Sequence, residues 1–107
     1  MIEMKSFGLS ALISLAAISG CYAQEVGRAS YYSYSRSGGL VAAHRTLPIG
    51  ARVKVTNLKN GRTATVVIVG RGPFVPGRII DVSTNVADIL DFRQAGEAIV
   101  QIEVLQK

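Results

Sequence analysis

Val66-Val67-Ile68-Val69-Gly70-Arg71-Gly72-Pro73-Phe74-Val75-Pro76-Gly77-Arg78-Ile79-Ile80-Asp81-Val82-Ser83 is the stretch on which the fold turns. Three glycines and two prolines fall within the eight residues from Gly70 to Gly77. Proline has no backbone N–H and glycine lacks the steric restraint of a Cβ, so this run is neither helix nor central strand but a loop. The flanking runs, Val66 to Val69 and Ile79 to Val82, are short, apolar and β-branched, as in buried strands. The segment therefore reads strand, loop, strand, and the loop displays Arg71, Arg78 and Phe74. An ordinary turn with Phe74 tucked into the core fits the composition equally well.

Outward from this stretch the same pattern recurs. Val53 and Val55 alternate with Arg52, Lys54 and Thr56, and Asn60-Gly61 separates that strand from Arg62 to Val69, which is a hairpin signature. Ala64, Val66 and Ile68 share one face, and the apolar Val67 and Val69 on the other predict that this second strand runs deeper in the core than the first. Downstream, Ser83 is placed to cap a short helix over Thr84 to Asp91, with Val86, Ile89 and Leu90 on its buried side. Past Gly96, a last strand over Ala98 to Leu105 alternates Val100, Ile102 and Val104 with Gln101 and Glu103. Upstream, Val26 to Tyr34 suits a first strand, and Ser35 to Gly39 a flexible loop. The brief apolar run Leu40 to Ala43 then delivers His44, the only histidine, into Arg45-Thr46-Leu47-Pro48-Ile49-Gly50, where proline and glycine stop regular structure. Five or six short strands against one short helix predict an all-β barrel.

A chain of 107 residues holds one domain. Met1 to about Ala23 reads as an export signal, with Lys5 followed by a mostly apolar run from Leu9 to Ile18 that is too short to span a bilayer. A buried N-terminal helix is the alternative. Signal at 1–23 and folded domain at 24–107 is the expected division. Ile18-Ser19-Gly20-Cys21 fits a lipoprotein box in which Cys21 is acylated, and Cys21-Tyr22-Ala23 equally fits a soluble-protein cleavage site that discards it. Either way the single cysteine leaves the mature domain without a disulfide, so packing alone must hold it.

Charge is distributed unevenly. From Val26 to Ile80 there is no Asp or Glu, but nine basic residues: Arg28, Arg36, Arg45, Arg52, Lys54, Lys59, Arg62, Arg71 and Arg78. From Asp81 onward Asp81, Asp88, Asp91, Glu97 and Glu103 stand against Arg93 and Lys107. A field of that sign suits an anionic polymer. Outside the cytoplasm this means carboxylate-bearing cell-wall glycan or an anionic membrane surface, and not nucleic acid. A basic surface that serves only solubility is the plain alternative.

Gly27-Arg28-Ala29-Ser30-Tyr31-Tyr32, Ala42-Ala43-His44-Arg45-Thr46-Leu47-Pro48-Ile49-Gly50, Val53-Lys54-Val55-Thr56-Asn57-Leu58, Asn60-Gly61-Arg62, Arg71-Gly72-Pro73-Phe74 and Gly77-Arg78-Ile79-Ile80-Asp81-Val82-Ser83 together resemble the rare lipoprotein A family, in order and over nearly all of the mature chain. The resemblance implies a six-stranded double-psi β-barrel. It also implies lytic transglycosylation of peptidoglycan glycan strands: cleavage between N-acetylmuramic acid and N-acetylglucosamine to leave a 1,6-anhydro end, with no metal or organic cofactor. The partners it implies are glycan strands and, if Cys21 is acylated, a membrane.

That reaction needs a carboxyl group to protonate the leaving oxygen and to take a proton from the attacking hydroxyl. In the family pattern an Asp precedes Arg-Gly-Pro-Phe and a Glu lies about eleven residues before the histidine. Here Gly70 stands at the first position, and the second falls in the shortened segment between Tyr32 and Leu40, which holds no Glu. His44 and Asp81 are the remaining candidates for catalysis. His44 has scaffold and groove-lining alternatives, and Asp81 can instead bond backbone amides or Arg78. Arg45, Arg71 and Arg78 are candidates for hydroxyls or lactyl carboxylates, and Tyr31, Tyr32 and Phe74 for stacking on sugar rings. With both family carboxylates missing, the chain is expected to be either a transglycosylase of reduced competence or a non-catalytic module that grips wall polymer.

Overall fold

The computed structural model describes residues 24–33 and 39–106. The expected signal at 1–23, with Cys21, and most of the expected loop Ser35 to Gly39 lie outside the described residues. Six strands are β1 (Gln24–Tyr32), β2 (Val41–Ala43), β3 (Arg52–Asn57), β4 (Thr63–Gly70), β5 (Arg78–Ser83) and β6 (Ala98–Gln106), with one helix, α1 (Thr84–Ile89), between β5 and β6. They close a barrel in the order β1-β5-β2-β4-β3-β6. β1 runs parallel to β5 and β2 parallel to β4. The other pairs are antiparallel. Parallel neighbours cannot be joined by a tight hairpin, so their connections cross the barrel, as the double-psi arrangement requires.

Alternation decides the interior. Val53, Val55, Val66, Ile68, Ile80, Val82 and Val100 point inward and are fully buried, and each such side chain contributes about 1.5–3 kcal/mol relative to exposure. Val86 and Ala87 of α1, with Leu90 and Phe92 beyond it, extend this core. Asn57 fastens that corner to the barrel: its amide donates to the Leu90 carbonyl at 2.8 Å and its oxygen accepts from the Lys59 N–H at 2.9 Å. The β3–β4 hairpin forms as the Asn-Gly pair predicts, with Gly61 in the left-handed region at φ 79.

Three local expectations are corrected. β4 runs no deeper than β3, because Val67 and Val69 are 36% and 46% exposed. A barrel wall has one interior, and among the described residues the outer face there stays open. Ser83 occupies the N-cap position of α1 without making a cap bond, and its hydroxyl donates to the Gly39 carbonyl at 3.1 Å instead. The helix is shorter than Thr84 to Asp91 and leaves Ile89 exposed, since its buried stripe runs through Val86, Ala87 and Leu90 before the chain turns at Asp91, φ 59.

Candidate functional site

The end of β2 and the end of β4 meet where the His44 N–H donates to the Gly70 carbonyl at 3.1 Å. Both loops that leave this point are held together by Arg71, whose Nη1 donates to the carbonyl of His44 at 3.1 Å and to that of Leu47. Within this frame the His44 ring is fully engaged. Its Nδ1 faces the backbone N–H groups of Thr46, at 3.1 Å, and Leu47, at 3.2 Å. Amide N–H groups only donate, so Nδ1 accepts and the ring hydrogen sits on Nε2. Nε2 donates to Glu25 Oε1 at 3.0 Å.

Glu25 belongs to the same alternating set of β1 as the buried Ala29, the set that faces the interior. Lying near the open start of β1, its side chain is 40% exposed, against 7% for that of His44. On the two stapled loops, Arg45 is exposed and Phe74 is 75% exposed, which settles the Phe74 alternatives in favour of display.

Asp81 lies elsewhere, on the outward side of the wall. Register sets Ser30 beside Asp81, Asp81 beside Ala43, and Ala43 beside Gly70, a row of mostly small residues across four strands. The Ser30 hydroxyl donates to Asp81 Oδ1 at 2.9 Å. Burial raises the Asp81 carboxyl above the ordinary aspartate range, while the Ser30 hydrogen bond and the Arg78 charge pull it back down. A carboxylic acid that keeps its proton to higher pH is one of the two forms that acid–base chemistry uses.

The remaining predicted residues divide between scaffold and rim. Arg78 donates from Nε to Glu97 Oε2 at 2.6 Å and holds the same oxygen with Nη2. Arg28 approaches Glu97 at 3.7 Å and donates to the Pro76 carbonyl at 2.8 Å, under Gly77, where φ is 86 and a Cβ would lie 2.7 Å from the guanidinium. Arg71 and Arg78 would thus have to exchange existing bonds before contacting a glycan. Tyr31 serves the core, its hydroxyl on the Arg93 carbonyl at 2.9 Å and its ring edge-on to Phe92 at 5.9 Å. Tyr32 is exposed on the wall. Among the described residues no group of three or more His, Cys, Asp or Glu side chains could hold a metal ion.

The acid-free run from Val26 to Ile80 is real along the chain but does not hold in space, because Glu25, one residue outside it, reaches the imidazole from 19 positions away. A signal for it was present in the sequence: Glu25 is in phase with Ala29 and Tyr31, and a charged residue on the inward phase of a strand requires a polar partner.

Comparison with known proteins agrees with this architecture. The family model described as lytic transglycolase matches residues 24–102. A probable endolytic peptidoglycan transglycosylase RlpA of Nostoc sp. is 54% identical over 66 residues, 62% of this chain and 18% of that protein. The endolytic peptidoglycan transglycosylase RlpA of Vibrio cholerae is 44% identical over 93 residues, 76% of this chain and 35% of that protein. The chain therefore spans well under half the length of these relatives. In structure it is similar to apo Clavibacter michiganensis expansin, with a TM-score of 0.65 over 78% of this chain and 51% of that one; at 18% identity this is a likeness of fold.

Proposed function

We propose a function from one premise: the chain belongs to the lytic transglycolase family. On that premise the barrel engages peptidoglycan glycan strands at its His44 end and cleaves them between N-acetylmuramic acid and N-acetylglucosamine, leaving a 1,6-anhydro end. It does so in the cell envelope, after export directed by residues 1–23. Cys21 is either acylated as a membrane anchor or removed with the signal, and the intact mass of the exported protein decides between the two.

The observation that carries this reading is the pair of loops stapled by Arg71, which display Phe74 and Arg45 at the barrel end where Glu25 meets His44. An aromatic face packs on sugar rings, a guanidinium pairs with lactyl carboxylates, and a carboxyl group moves protons. The test is incubation of the purified exported protein with glycan strands stripped of stem peptides, read by mass spectrometry. Anhydro-ended fragments are expected. Retention on intact sacculi without such fragments would instead establish the non-catalytic module, a reading favoured by Gly70, which has no carboxyl to offer.

A further inference from the structure

We propose that Glu25 is the carboxyl group that moves the proton in this barrel, and that His44 acts through it as a positioning residue. The inference rests on the cleavage reading above and names the residue behind it. The imidazole is poorly placed to work alone: both ring nitrogens already have partners, and the residue is 6% exposed. To touch a sugar oxygen it would have to release either Glu25 or two backbone amides. Glu25, by contrast, is anchored on a strand whose register pairs it with Ile102 of β6, and its side chain is 40% exposed.

Positioning runs in a short sequence of contacts. Arg71 holds the carbonyls of His44 and Leu47, the amides of Thr46 and Leu47 hold Nδ1, and Nε2–H holds the Glu25 carboxyl. Functional groups on regular elements with a fixed supporting shell hold their geometry better than groups on loops. Asp81 is held differently. It sits mid-wall, bound by Ser30 and flanked by strands on both sides.

The step balances on one residue. The Glu25 carboxylic acid gives its proton to the glycosidic oxygen as the bond from that oxygen to the anomeric carbon breaks, the electron pair leaving with the oxygen. The carboxylate so formed, stabilised by the Nε2–H of His44, takes the proton of the muramic 6-hydroxyl as its oxygen bonds the anomeric carbon. Glu25 ends as it began, and no water or cofactor enters.

The test compares Glu25→Gln, Asp81→Asn, His44→Gln and His44→Asn in the full exported protein, with anhydro-end formation and sacculus retention both measured and folding checked by thermal unfolding. The amide nitrogen of Gln can stand in for Nε2 toward Glu25, while the Asn oxygen can stand in for Nδ1 toward the Thr46 and Leu47 amides. Glu25→Gln should lose about 10²–10⁴-fold in cleavage with retention unchanged. His44→Gln should keep more activity than His44→Asn. The inference is overturned if Glu25→Gln cleaves within about threefold of wild type, if Asp81→Asn alone abolishes cleavage, or if His44→Asn outperforms His44→Gln. A wild-type protein that forms no anhydro ends would sink the cleavage reading and this inference together, whereas an active wild type with an active Glu25→Gln sinks only the inference.

Discussion

Two carboxyl groups of this barrel invite comparison. Asp81 lies inside the chain's most recognisable motif, Gly77 to Ser83, yet the fold builds it into the wall, half-buried and bound by the hydroxyl of Ser30. Glu25 lies in no motif, at the second position of β1, yet the fold brings it to the only imidazole at a barrel end rimmed by Phe74 and Arg45. A side chain's place in a conspicuous stretch says little about whether its atoms remain accessible. Burial, partners and strand phase decide that.

Stability measurements distinguish the surroundings of the two carboxyl groups. The largest effect is expected in the wall beneath Asp81: Ile80→Ala should cost about 2–5 kcal/mol in denaturant unfolding, because the side chain is wholly buried among β-branched neighbours. Glu25→Ala should cost far less, and an equal cost would make Glu25 a structural residue. Next is Arg71→Ala, which removes charge-assisted hydrogen bonds to two carbonyls and should destabilise by about 1.5–3 kcal/mol. Faster hydrogen exchange at the Thr46 and Leu47 amides would locate the damage, and unchanged exchange there would show that the loops do not depend on the staple.

Asp81→Asn should have a smaller effect, of the opposite sign. Because the native carboxyl is raised, ionising it opposes folding, so its contribution to stability is full below the ordinary aspartate value of 3.8 and declines as pH rises through the native value. The Asn variant should therefore melt higher than wild type at neutral pH, and the gap should close on acidification. A gap that stays constant with pH would mean that burial does not govern this group. Smallest of all, Phe74→Ala should leave stability within about 0.5 kcal/mol, since the ring is exposed, but should weaken retention on sacculi.

Much of the scaffold was legible because it depends on local rules. The period-two alternation of β3 and β6, the Asn60-Gly61 turn and the glycine–proline loop each follow from nearby residues, and all three form where expected. The misjudged faces share another cause. Val67, Val69 and Ile89 are apolar but exposed, because hydrophobicity along a strand or helix does not reveal whether a second layer exists to cover it. The site residues split on the same line: Phe74 and Arg45 are displayed, whereas Tyr31, Arg71 and Arg78 are drawn into ring packing, carbonyl bonds and the pairing with Glu97.

The amino-acid order by itself determined the class of fold, the order of its strands along the chain and the run of basic residues, since backbone preference, strand phase and net charge are properties of short stretches. Only tertiary structure decided which carboxyl meets the imidazole. Closing the barrel places the start of β1 against the end of β2, and a 3.0 Å contact across 19 positions depends on register and closure that no local pattern encodes.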